Sequence, residues 1–249
     1  MQVEVKKIIK YCEDYLKVIN FEDGCVNGLQ VEGALKVNKI VTGVSLSKEL
    51  IEAAIKKEAK LILVHHGFFK SDIPNPFELK GVMKNRLKLI LENDLNIACF
   101  HLPLDAHPII GNNISICNLL GVTKVRPFNV GYIGNLKSGI SLDKFIGLVN
   151  DRLRTKSFII SGGKKIVRTV AVISGGSSPD YALAAELGAD AYVCGDIREN
   201  IVRQVEEGGI NLVNAGHYNT EKTGIRNLGD LVAKKFKIKV EFVDIPCSI

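Results

Sequence analysis

The chain reads as an α/β protein made of two similar α/β halves. Three observations predict this. Apolar, β-branched runs alternate with Ala-rich and Lys/Glu-rich helical stretches, which is the pattern of parallel βαβ units. The alternation occurs twice: KIVTGVSLSKELIEAAIKKEAKLILVHHG from Lys39, then TVAVISGGSSPDYALAAELGADAYVCGD from Thr169. Each copy then closes with a further helix and strand, LENDLNIACFHLPLD in the first and VEEGGINLVNAGHYNTE in the second. His101-x-x-x-Asp105 therefore stands where His217-x-x-x-Glu221 stands in the other copy.

The elements follow in order. The opening MQVEVKKIIKYCEDYLKVI is an amphipathic helix charged throughout, unlike a signal peptide. The run at Ile40 is a strand, Ser45 and Ser47 suit the N-cap of the helix after it, and LILV before His65 is the next strand. Pro103 argues against a helix over His101–Asp105, so that pair is placed on a loop. Asn112 and Asn113, in DAHPIIGNN, read as cap and turn residues before the helix NISICNLLGV. The stretch from Val125 to Arg168 reads as strand, helix and strand of the second half. Ser177 and Ser178 are the matching helix-cap candidates, and a helix starts near Tyr218. Residues 1–125 are expected to form the first half and residues 126–249 the second, with the C-terminal helix and strand able to pack back on the first.

Composition narrows the function classes. A 46% hydrophobic fraction supplies a core, and the 24% charged fraction is ordinary for a globular chain. No stretch approaches the roughly 18 apolar residues of a membrane span. The six cysteines show no C-x-x-C spacing and read as small buried residues in a reducing cytoplasm rather than disulfides or a zinc knuckle. A net charge of +6 favours anionic partners such as nucleotides or nucleic acid.

Four of the five histidines follow apolar runs: His65 and His66 after LILV, His101 after IACF, and His217 after NLVNAG. The C-terminal ends of strands are where open α/β sheets build sites. Imidazoles gathered there with Asp105 and Glu221 are the donors of a divalent metal site, and two ions sharing carboxylates would use them all. His217 and Glu221, four apart at a helix start, share one face. Where the first half carries His65-His66-Gly67, the second carries Cys194-Gly195-Asp196. The natural inference is one composite site in the cleft between the halves. His107 is either a substrate contact or a loop histidine. Gly175-Gly176-Ser177-Ser178 is either a tight turn with a helix cap or a phosphate-holding loop.

NGLQVEG (Asn27–Gly33), LVHHGFF, HLPLDAHPIIGNN, GADAYVCGD and NAGHYNTE occur in the order found in one family. Across nearly its whole length the chain resembles the NIF-three-like proteins (Ngg-interacting factor three-like), whose members often carry the name GTP cyclohydrolase type 2 homolog. The resemblance implies a cytoplasmic protein of two similar halves with a dinuclear metal centre. Its ligands would be His65, His66, Asp105, His217 and Glu221, with Glu221 bridging and His101 a further ligand or a group behind the ligands. It also implies a ring-shaped homohexamer. The residues after Asp196, Ile-Arg-Glu-Asn, lack a histidine found in some relatives.

Two divalent ions, with this N/O donor set Zn, Mn, Fe or Ni, generate hydroxide near neutral pH. The expected function is therefore metal-dependent hydrolysis of a nucleotide-like substrate. The rival expectation is a ring that holds DNA by its phosphates. Arg152, Arg154, Lys156, Lys164, Lys165 and Arg168 would make the contacts, and Lys234, Lys235, Lys237 and Lys239 form a second basic cluster.

Overall fold

The computed structural model describes residues 2–73 and 78–247. It is a mixed α/β chain of two compact units, Met1–Leu104 with Gly224–Ile245, and Asp105–Thr223 with Pro246–Ile249.

The first unit is built on a five-stranded sheet, in the order Lys239–Phe242, Lys39–Ser45, Leu61–His66, Asn96–Cys99, Gly28–Val31. The first four strands run parallel, and Gly28–Val31 closes one edge antiparallel. Helix Lys48–Lys56 makes the first crossover, and the Ser47 hydroxyl accepts from the Leu50 N–H at 3.1 Å. Helix Gly81–Glu92 makes the second crossover. Ile62, Val64, Ile97 and Cys99 meet Leu50, Ile51 and Ala54 in one buried cluster. Burying such side chains stabilises by about 1.5–3 kcal/mol each, which holds the strand ends that carry His65, His66 and His101.

The second unit has six strands, in the order Thr123–Phe128, Gly131–Ser141, Ile166–Val172, Ala191–Cys194, Asn211–Asn214, Phe158–Ser161. Ile166–Val172, Ala191–Cys194 and Asn211–Asn214 are parallel, and the other pairings are antiparallel. Side chains alternate between two buried faces. Val170, Val172, Val193 and Val213 pack with helices Asn112–Leu119 and Leu142–Leu153, whereas Ala171, Ile173, Tyr192 and Leu212 pack with Tyr181–Glu186 and Glu199–Glu207. Burial on both faces explains why these strands read as unbroken apolar runs. The succession strand, helix, strand, helix, strand thus recurs in the two units.

Three local expectations are corrected. His101–Asp105 is no loop: Leu102–Ala106 is a short helix. Pro103 lies in its first turn, where no intrahelical N–H bond is lost. Ser177 and Ser178 do not cap helix Tyr181–Glu186, since its N-cap is Asp180, preceded by a single 3-10 turn, Ser178–Asp180. Asn112 and Asn113 are wholly buried side chains rather than surface turn residues.

Candidate metal centre

In the first unit, the parallel strands deliver three imidazoles to one place. His65 and His66 end strand Leu61–His66, and His101 follows the neighbouring strand Asn96–Cys99. The ring centroids lie 4.6 Å apart for His65–His66, 5.1 Å for His65–His101 and 5.5 Å for His66–His101. One nitrogen from each can be chosen so that all three fall within 4.8 Å of one another, a spacing that can hold a metal ion.

What holds each ring fixes which nitrogen it presents. His65 Nδ1 lies 3.0 Å from the Phe100 carbonyl, which only accepts, so Nδ1 carries the proton and Nε2 the lone pair. His101 Nδ1 donates to Asp23 Oδ1 at 2.8 Å. His66 Nδ1 meets the Ser45 hydroxyl at 3.1 Å. All three rings are gripped at Nδ1, which leaves Nε2 as the nitrogen each would offer a metal, the arrangement common behind metal-bound histidines.

Asp23 is the anchor of this half. Its carboxylate accepts from the backbone N–H of Cys25 and Leu102, from the Asn27 amide and from His101. Burial pushes its carboxyl pKa up, but these hydrogen bonds outweigh burial and hold it well below the usual range. Asn27 also accepts from the His101 N–H at 2.7 Å, so the NGLQVEG motif positions this histidine.

In the second unit the donors are mostly carboxylates. His217 and Glu221 occupy the first turns of helix His217–Phe236, with Nε2 and Oε2 3.0 Å apart. His217 Nδ1 is 2.5 Å from Asp196 Oδ2. Burial lowers the His217 pKa, yet the hydrogen bond and charge of Glu221, followed by those of Asp196, raise it to about 9. Asp105 is buried, and its Oδ1 accepts from Asn112 at 2.8 Å and from Ser174 at 2.9 Å.

Ser174 and Gly175, just past strand Ile166–Val172, link the two carboxylates. Ser174 bonds Asp105, while a Cβ on Gly175 would collide with Glu221 Oε1 and lie 3.2 Å from His217 Nε2. Gly175 has φ +62°, and its carbonyl accepts from the N–H groups of Ser177, Gly195 and Asp196. The glycine run is therefore a backbone hub beneath Glu221.

Among the other predicted residues, His107 Nδ1 accepts from the N–H groups of Ile109 and Ile110, at 3.2 Å each, and so caps its own loop. Arg152, Arg154, Lys156, Lys164, Lys165 and Arg168 are all exposed. Lys164 pairs with Asp190 at 2.9 Å, and Arg152 lies 3.8 Å from Asp151. Sequence reasoning missed Asp23, Asp196, Ser174 and the bracing role of Asn112. Asp196 alone had left a signal, by standing in the segment that replaces His65-His66-Gly67.

Lone-pair nitrogens and buried carboxylates of this kind fit a divalent cation of borderline hardness. A model of the Duf34/NIF3 (NGG1p interacting factor 3) family matches residues 3–248. The chain belongs to the DUF34/NIF3 family. A Pseudomonas aeruginosa relative named GTP cyclohydrolase 1 type 2 homolog is 36% identical over 99% of both chains. Among solved NIF3-fold structures, protein ybgI, described as of unknown function, is 34% identical with a TM-score of 0.93, covering 99% of this chain and 100% of its own. A protein from Thermus thermophilus is 28% identical with a TM-score of 0.91, at the same coverage. No helix among the described residues is long and apolar enough to cross a membrane.

Proposed function

We propose that His65, His66, His101, Asp105, His217 and Glu221 hold two divalent ions, and that the protein hydrolyses a nucleotide-like substrate. The observation that carries this reading is the common grip on the rings. His65, His66, His101 and His217 are each held at Nδ1, three of them by a carbonyl or carboxylate acceptor. A histidine serving only to pack needs no such shared polarity.

Each side chain has a part to play. Asp23 and Asp196 fix the tautomer and aim of His101 and His217. Ser174 and Asn112 hold the Asp105 carboxylate still, and Gly175 leaves room for Glu221, which would hold metal beside it. When bound, a pair of divalent cations supplies water activated near neutral pH and polarises a substrate oxygen. The relatives' name suggests opening of a guanine nucleotide ring, and phosphoester cleavage draws on the same chemistry. The test is metal analysis of the purified protein followed by a hydrolysis screen over nucleotides and phosphoesters. Glu221→Ala should abolish any turnover found, and turnover that survives it overturns the reading.

A second reading rests on the six exposed cations between Arg152 and Arg168. In the cytoplasmic homohexamer that the family resemblance implies, they would hold DNA through phosphates, with the metals structural or regulatory. Charge reversal at Lys164 and Lys165 should then weaken DNA binding and flatten its salt dependence.

A further inference from the structure

We propose that Cys25 and Cys99 form a peroxide-sensitive dithiol, which closes to a disulfide and thereby loosens the end of the strand that carries His65 and His66. Their sulfurs lie 2.9 Å apart. A disulfide needs about 2.05 Å, so closure asks for less than about 1 Å of approach. Like Cys12, Cys117 and Cys194, both cysteines are buried, and the close approach of their two sulfurs is what sets this pair apart.

Access is one-sided. Cys25, itself only 3% exposed, lines an open recess of about 740 Å³ with Phe21, Asp23, Asn27 and Lys70, whereas Cys99 is fully buried. Cys25 is thus the sulfur a small oxidant meets, and Cys99 is the one that resolves. The Cys25 sulfur attacks the O–O bond of hydrogen peroxide, giving a sulfenic acid and one water. The Cys99 sulfur then displaces the hydroxyl from that sulfenic acid, its proton leaves with the hydroxyl as a second water, and the S–S bond forms. Two thiols are oxidised by two electrons, and the peroxide is reduced to two waters.

The link to the histidines is direct. The Cys99 thiol donates to the His65 carbonyl at 3.0 Å, and the Gly67 N–H donates to the Cys99 sulfur at 3.2 Å. Cys25 lies 3.6 Å from the Phe68 carbonyl, and Gln30 joins its sulfur to that carbonyl through Nε2. Oxidation removes the donor to His65 and pulls the sulfur that Gly67 holds. This second half of the proposal rests on the metal reading above; the chemistry of the thiols does not.

The test uses the full chain carrying Cys247→Ser, which removes the exposed cysteine. After stoichiometric peroxide, the intact mass should fall by two hydrogens. A peptide map should show Cys25 joined to Cys99, with Cys12, Cys117 and Cys194 still alkylatable, and dithiothreitol should reverse the change. Cys99→Ser, or Cys99→Ala if the first folds poorly, should leave Cys25 trapped by a sulfenic-acid probe. Unreacted Cys25 and Cys99, oxygen addition without a cross-link, or equal oxidation of Cys12 would overturn the dithiol. Zinc affinity should drop at least tenfold in the oxidised form. Equal zinc affinity of both forms overturns the coupling while leaving the dithiol standing, and absence of zinc binding by the reduced protein overturns the metal reading instead.

Discussion

The two parallel cores share one plan and carry different chemistry. In the first unit, strand Leu61–His66 ends in two imidazoles, and the next strand leads to a third. In the second, the equivalent strand Ala191–Cys194 ends in Gly195-Asp196, and the next leads to His217 and Glu221. One unit is a cluster of three imidazoles braced by an aspartate whose side chain is buried. The other is a carboxylate-rich set whose histidine is itself charged near neutral pH. The lesson is that a βαβαβ core fixes where side chains emerge, and the two or three residues past each strand decide what they do.

The comparison can be broken by changing one half at a time, and the largest effect is expected from Glu221. Glu221→Ala should take metal content well below that of the parent protein. His65→Ala, by contrast, should remove only the ion nearest the histidine cluster. Elemental analysis of both variants reads this directly.

Gly175→Ala comes next. A non-glycine residue in the left-handed region costs roughly 1–2 kcal/mol, and the new methyl group meets Glu221. The melting temperature and metal content should fall together. At Gly188, also at positive φ but with open space around it, the same change should lower the melting temperature alone.

Asp196→Asn and Asp23→Asn sharpen the contrast between the braces. Loss of such a group weakens metal affinity by about 10–100-fold, so both should bind zinc less well. The Asp23 side chain is only 3% exposed, whereas that of Asp196 is 31% exposed. Asp23→Asn should therefore also lower thermal stability, and Asp196→Asn should leave it nearly unchanged. Calorimetry beside zinc titration separates the two.

A smaller, graded effect comes from pH. The folded His217 pKa, about 9, stands above its ordinary value of 6.5. In metal-free protein its stabilising contribution is complete below about pH 6.5 and disappears as pH rises through about 9. Because a metal takes the neutral ring, zinc affinity should rise with pH up to about 9, with release of a proton from His217. Glu221→Gln should flatten that rise, and a titration in two buffers of different ionisation enthalpy counts the protons.

Much of this was legible beforehand. Apolar runs with helices between them gave the α/β class, and the histidines stand at or just past the strand ends where those runs put them. The braces were not legible, because Asp23 lies 78 residues from His101 in the chain and no local pattern links them. The helix over Leu102–Ala106 was hidden by Pro103, whose place in the first turn makes it harmless. Asn112 looked like a turn residue because an asparagine beside glycine usually is one. Its bond to Asp105 depends on the fold around it.

The central claim is that these histidines and carboxylates hold a pair of cations. Its most direct test is metal stoichiometry by plasma mass spectrometry on the parent chain and on Glu221→Ala, each loaded with zinc and dialysed. Two ions per chain in the parent, with both largely lost in the variant, is the predicted result. An ion bound to the parent and held just as well by Glu221→Ala would contradict it.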